Sequence, residues 1–282
     1  MSLDNFIPEV WSARLFENLK KAHVFPNLAN TDYEGEIRQV GDKVRINNIG
    51  EISVGNYSKN TDMSSADDLT SSQTELDIDQ QKYIHFQIDD IDQAQMKPKV
   101  MDAAMTDAGY ALADEVDKYI AALHAQAGET LTEASLTDEN IIDELGEASE
   151  KLSENNVPQT GRWIVLPPWA IKLLVKGEII SFGASANATG GTIEADASYR
   201  AGWVDRAYGF DIYMSNNLAV YDTTGVHALA GTRRAITYAG QISSMEAYRP
   251  ELRFANAVKG LMVFGSKVVD SNALVNLQIK EG

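Results

Sequence analysis

The sequence predicts an α+β fold organised around one long helix, and three observations predict it. Residues 97–127 carry apolar side chains every three or four positions without interruption. Residues 36–60 and 74–88 switch to the two-residue alternation of strands. The C-terminal third returns to short strand-like runs separated by turn residues.

The elements follow in order. Pro8 suits a first helical turn, and Val10, Trp11, Leu15, Phe16 and Leu19 recur at helical spacing until Pro26 ends the run. So short a helix is marginal alone in water, and its apolar face needs another surface. Val44 and Ile46, then Ile52 and Val54, alternate with polar neighbours, punctuated by Gly41, Gly50 and Gly55. Residues 59–72 are polar and turn-rich, an exposed tip. Thr74, Leu76 and Ile78, then Ile84, Phe86 and Ile88, form the returning strand. Together these make a hairpin of about 50 residues, too long to be stable unsupported, and no other segment of the chain obviously covers it.

In the long helix, Pro98 fits the first turn, and Met101, Met105, Ala108, Leu112, Val116, Tyr119, Leu123 and Ala127 line one face. Gly128 is placed to stop it. At about 1.5 Å per residue the rod is about 45 Å long. A second helix spans 137–155, with Thr137 as N-cap, Ile141, Ile142, Leu145, Ala148 and Leu152 on one face, and Asn155-Asn-Val-Pro158 as its stop. Arg162 to Leu166 is a buried strand closed by Pro167-Pro168. Trp169 to Val175 is a short helix ended by Gly177. Residues 183–202 are a Gly-, Ala- and Ser-rich loop. Strands follow at Phe210 to Met214, Val226 to Ala230, Ala235 to Tyr238, Leu252 to Ala255, Lys259 to Gly265 and Ala273 to Ile279.

The chain has 282 residues, a net charge of -17 and no cysteine. Its hydrophobic content of 44% is enough for a sizeable core. The acidic balance argues against a free-standing nucleic-acid binder. The missing cysteine removes disulfides, thiolate nucleophiles and Cys-based metal sites. Neither a signal peptide nor a membrane-spanning run is expected.

Little of the sequence points to catalysis. His23, His85, His124 and His227 have no ligand spacing. The Asp77, Asp79, Asp89, Asp90 and Asp92 group lacks the glycine and terminal glutamate of a calcium hand. Gly183 to Gly191 matches no phosphate-binding loop, and no nucleophile elbow occurs. Trp11, Trp163, Trp169 and Trp203 are not interleaved with basic residues as stacking platforms would be. No catalytic residue, metal or cofactor is expected.

Charge is unevenly placed. Residues 61–92, including Asp67 and Asp68, have a net charge of -8, as do residues 129–156. Residues 231–267, with Arg233, Arg234, Arg249, Arg253, Lys259 and Lys267, have a net charge of +4. Either the acids are solvated faces, or an acidic segment of one copy meets the basic segment of another, which would select partner and register.

The order of arm, hairpin, long helix, mixed region and final strands resembles the major capsid proteins of tailed bacteriophages, the HK97-like fold. Phe6-Ile-Pro-Glu-Val-Trp-Ser-Ala-Arg-Leu15 is similar to the start of one such coat family, and Gly41-Asp-Lys-Val-Arg-Ile46 to the beginning of its extended loop. Leu112-Ala-Asp-Glu-Val-Asp-Lys-Tyr-Ile120 resembles the spine helix, and Arg162-Trp-Ile-Val-Leu-Pro-Pro168 the strand-to-helix step of the axial domain. The resemblance covers nearly the whole chain. It implies an N-terminal arm over 1–33, an extended β-hairpin loop over 34–93, a peripheral domain from 94–130 and 244–282, and an axial domain over 131–243.

The resemblance further implies a structural protein of the virion capsid, made in a bacterial cytoplasm. Hexamers and pentamers would close an icosahedral head around double-stranded DNA, held without sequence-specific contacts. No long helical, charged domain precedes the arm, so assembly is expected to need a separate scaffolding protein, or the arm alone, together with a portal. Trp11, Leu15 and Phe16 of the arm, Lys59, Asp67 and Asp68 near the loop tip, and Arg233, Arg234, Arg249 and Arg253 are the candidate inter-subunit contacts. Some relatives cross-link an extended-loop Lys to a neighbour's Asn. Lys59 lies near the tip, and Asn256, Asn272 and Asn276 are generic candidates. An encapsulin-like compartment shell, enclosing protein in place of DNA, is the alternative, followed by an acidic enzyme or binding module.

Overall fold

The computed structural model describes residues 23–33, 41–49, 56, 59, 62, 71–89, 100–132, 135–177, 203–252 and 254–282. The expected arm helix, the hairpin tip around Asp67 and Asp68, the 183–202 loop and Arg253 lie outside these residues.

Helix α1 is a single turn, Phe25–Leu28, with Pro26 in its first turn. Helix α2, Val100–Ala121, buries Met105, Leu112, Ala113, Val116 and Ile120 along one stripe. Its 22 residues make a rod of about 33 Å, shorter than the periodicity alone implies. The chain tightens there into a 3-10 turn, Ala122–Gln126, and His124 Nδ1 lies 3.1 Å from the Ala121 carbonyl. Gly128 is not a left-handed stop. Its value is close approach: a Cβ there would sit 2.6 Å from the Ser271 carbonyl, which the Gly128 amide reaches at 2.9 Å.

Helix α3, Ile141–Glu154, buries Ile141, Leu145, Ala148 and Leu152. Thr137 is not its N-cap. Asn140 holds that position, and the two residues close the preceding turn together: Thr137 N–H donates to Asn140 Oδ1 and Asn140 N–H to Thr137 Oγ1. Its end follows the expected stop. Asn156 takes φ 56°, its amide bonds to the Ser153 carbonyl, and the Val157 amide bonds to the Leu152 carbonyl. This is a Schellman arrangement, with the apolar pair Val157 and Leu152 beneath it. Helix α4, Pro168–Lys176, completes the helices among the described residues.

Strands β1, Lys43–Ile49, and β2, Ser71–Asp77, pair antiparallel. Strands β3, Gln80–Asp89, β10, Ile236–Tyr248, and β11, Ala255–Val268, form a three-stranded sheet in the order β10-β11-β3. A larger sheet runs β4-β12-β9-β5-β7-β6, with β8 on β9. Its strands are β4, Glu129–Thr132; β5, Arg162–Leu166; β6, Trp203–Ala207; β7, Phe210–Met214; β8, Ala219–Val220; β9, Gly225–Thr232; and β12, Leu274–Lys280. β5 is apolar apart from Arg162 and buried at every position, as expected of a strand covered on both faces. α2, α3 and α4 share one apolar core with this sheet.

The returning strand of the hairpin is not continuous. β2 ends at Asp77, the Ile78 amide bonds back to Asp42, and β3 then leaves β1 to pair with β11 from Gln80↔Phe264 to Asp89↔Ala255. Alternation persists across the break, so the sequence hides it. What changes is the partner that satisfies the backbone. Nor is the root of the hairpin uncovered. Val44, Ile46, Leu76 and Ile78 pack on Ala239 and Val263 of β10 and β11. Likewise, Leu252 and Phe254 belong to the turn before β11, not to a strand.

Candidate assembly surfaces

The hairpin root is built by alternation. Val44 and Ile46 point into the small core, while Lys43 and Arg45 stay exposed on the other face. Lys43 Nζ reaches Glu75 at 2.8 Å and Asp77 at 3.3 Å, and Arg45 reaches Glu75 at 3.7 Å. The Lys43 ammonium, hydrogen-bonded to the Glu75 carboxylate, holds that acid below its usual range. Lys267 of β11 donates to the Glu75 carbonyl at 2.8 Å. Gly265 lets the strands approach: a Cβ there would lie 2.2 Å from the Asp77 carbonyl. The root is therefore fixed on β10 and β11, and from it β1 and β2 carry the chain towards residues 50–70.

Two exposed apolar features lie on the three-stranded sheet. β3 turns Ile84 and Phe86 towards the core and Tyr83 and His85 outward. Tyr83 is 78% exposed and borders a shallow cleft with His85, Tyr248, Lys259 and Leu261. His85 Nε2 and the Tyr248 hydroxyl are 2.8 Å apart, and Lys259 Nζ lies 5.2 Å from the Tyr248 ring centre. At the turn between β10 and β11, Leu252 is 96% and Phe254 82% exposed. The sequence carried a signal for Tyr83, a large aromatic on the wet side of an alternating strand. For Leu252 and Phe254 the strand-like composition pointed the other way.

The structure places the described candidate residues as follows. Lys59 is exposed. Arg233 Nε donates to the Ala29 carbonyl at 3.1 Å, and Arg234 pairs with Asp270 at 2.9 Å. Lys259 pairs with Glu246 at 2.7 Å. With Lys267 on Glu75, these four cations of the basic 231–267 stretch are engaged within their own chain. Arg249 is exposed. Trp11, Leu15, Phe16, Asp67, Asp68 and Arg253 lie outside the described residues. Asn276, one of the cross-link candidates, is buried: His227 Nδ1 donates to its Oδ1 at 3.1 Å and it reaches Thr130.

His227 stacks on His124 with ring centres 3.6 Å apart, and Tyr221 meets it edge-on. Burial, the adjoining His124 second, pushes the His227 imidazole below its ordinary value, and the Asn276 bond only partly opposes this. Arg162 is 1% exposed and ties the end of α3 to β5, donating to the carbonyls of Ser149, Val157 and Pro158 at 3.0, 2.7 and 3.0 Å. Among the described residues, no group of three or more His, Asp or Glu could hold a metal ion, and no helix is long and apolar enough to cross a membrane.

A long helix, a hairpin rooted on a narrow three-stranded sheet, and a separate mixed sheet define the HK97-like capsid fold, and the structural comparisons show it. A structure from Mycobacterium phage Che8 matches at TM-score 0.68, with 30% identity, over 90% of each chain. The capsid structure of cyanophage P-SCSP1u matches at 0.67, with 19% identity, over 93% of this chain and 90% of that one. A virus-like particle from Pyrococcus furiosus matches at 0.56, with 14% identity, over 96% and 99%. No curated protein matches the chain. The phage capsid protein family model matches residues 73–277, and the chain belongs to that family. Its role is structural, as a component of a phage capsid.

Proposed function

We propose that this chain is the major coat protein of a tailed phage, and that its copies assemble as hexamers and pentamers into an icosahedral head around double-stranded DNA. The observation that carries this reading is the hairpin root, held by Val44, Ile46, Leu76 and Ile78 on β10 and β11; the sequence expectation for residues 50–70 is the continuation of that hairpin, and an isolated two-stranded ribbon is at best marginally stable. A neighbouring subunit supplies the missing surface. Leu252, Phe254 and Tyr83 are further contacts between copies, since exposed apolar patches mark interaction sites. The arm, through Trp11, Leu15 and Phe16, docks on a neighbour; Lys59, Asp67 and Asp68 act at the loop tip, and Arg249 and Arg253 flank the exposed turn. The 1–33, 34–93, 94–130 with 244–282, and 131–243 segments serve as arm, extended loop, peripheral and axial domains. Synthesis in the host cytoplasm, a separate scaffolding protein and a portal complete the reading.

Deletion of residues 59–70 is the test. The truncated chain keeps the rooted part of β1 and β2, so it should remain folded by circular dichroism yet form no shells. Unimpaired assembly would remove the main support for the hairpin's role. The fold is shared with a virus-like particle from Pyrococcus furiosus, and the second reading is an encapsulin-like compartment that encloses protein. Nuclease-protected DNA in purified particles supports the phage head, and protein cargo without DNA supports the compartment.

A further inference from the structure

We infer that Ile78 and Asp79 form a hinge between the hairpin and the body of the molecule, and that Tyr119 of α2 is the latch that holds it closed. The hinge lies where one backbone ladder stops and another starts. The β1–β2 ladder ends at the Lys43↔Asp77 pair, and the β3–β11 ladder begins at Gln80↔Phe264. Ile78 and Asp79 belong to neither strand. The backbone is held there by two hydrogen bonds. The Gly41 amide donates to the Ile78 carbonyl at 3.0 Å, and the Ile78 amide to the Asp42 carbonyl at 3.1 Å. Gly41 takes φ 89°, which costs a glycine nothing sterically.

Alternation sends the two hinge side chains to opposite faces. Ile78 is 1% exposed and joins Val44, Ile46 and Leu76 in the small core against Val263. Asp79 faces α2, where the Tyr119 hydroxyl donates to its Oδ1 at 3.0 Å. The Tyr119 ring meets Phe264, the residue of β11 opposite Gln80, edge-on with centres 5.5 Å apart. Its ring is therefore fixed by β11 while its hydroxyl reaches the hinge. One helical turn earlier, Glu115 accepts from Lys82 Nζ of β3 at 2.9 Å. That pair is solvent-exposed and contributes little, and it holds a strand that β11 already fixes. Tyr119 instead holds the two residues that no ladder fixes.

With the latch closed, the hairpin root keeps one direction relative to α2. With it open, Asp79 is solvated, the Gly41 and Ile78 amides lose their partners, and the root reorients while both ladders stay paired. If the hairpin is the inter-subunit element proposed above, on which the biological meaning rests, Tyr119 sets the angle at which it is offered to a neighbour.

Hydrogen exchange of single amides, read by NMR on the full chain, tests the latch. Tyr119→Phe keeps the ring on Phe264 and removes the donor. It should speed exchange at Gly41 and Ile78 about threefold or more, the effect of losing one hydrogen bond. The Val157 amide at the end of α3 should keep its rate. Asp79→Ala, at an exposed position, should act alike, and the double variant should exchange no faster than either single one. Unchanged exchange at Gly41 and Ile78, equal acceleration at Val157, or additive effects of the two substitutions would overturn the inference. Asp79→Ala decides alone should Tyr119→Phe fail to fold. No shell is needed for the measurement, so the latch and the coat-protein reading stand or fall separately.

Discussion

At the residue scale, the stacked pair His124 and His227 sits where the 3-10 turn after α2 meets β9. Burial and the neighbouring ring disfavour a charged His227 in the folded chain. A group with a lowered folded value contributes stability above its unfolded value, near pH 6.5, and loses it as pH falls below. His227→Gln cannot charge. Its melting temperature relative to wild type should rise between pH 7.5 and 5, measured by calorimetry. A constant difference would mean that the pair does not resist protonation. The four histidines lack ligand spacing, and nothing in the order of residues 124 and 227 indicates that the fold stacks them.

At the element scale, the hairpin root rests on a close approach. Gly265→Ala would drive a Cβ into the Asp77 carbonyl. It should cost about 1–3 kcal/mol, read by denaturant unfolding, and should increase proteolysis between β1 and β2. Wild-type resistance in both assays would show that the root does not depend on this packing. The same region shows what the sequence could and could not reveal. α3 and β5 were legible because burial periodicity and stop signals are local: Leu145, Ala148 and Leu152 mark the face, and Asn155-Asn156 the end. The break between β2 and β3 was illegible because Leu76, Ile78, Ile84 and Phe86 keep one alternation while the hydrogen-bonding partner changes from β1 to β11. Strand pairing is a property of distant segments, and alternation says only which side is wet. The exposed apolar residues were unevenly legible. Alternation marks Tyr83 as outward, whereas Leu252 and Phe254 are identified only by their exposure, which composition does not report.

At the scale of the whole molecule, the charge acquires a sign for assembly. The -17 surplus makes copies repel one another. Arg233, Arg234, Lys259 and Lys267, which could have offset it between copies, are engaged within the chain. Assembly followed by light scattering should therefore quicken as salt rises from about 0.05 to 0.5 M, because the screening length falls from more than 10 Å to a few ångströms. Slower assembly in salt would restore attraction between acidic and basic segments of different copies. An acidic subunit also suits a shell that encloses DNA without gripping it, since many basic sites facing inward would pin the genome by multivalent phosphate contacts. The central claim is the closed shell itself. Electron microscopy of the chain, produced alone and together with the scaffolding protein proposed for it, tests it most directly. The account predicts closed icosahedral particles of uniform diameter, whereas a protein that remains monomeric both with and without the scaffold would contradict it.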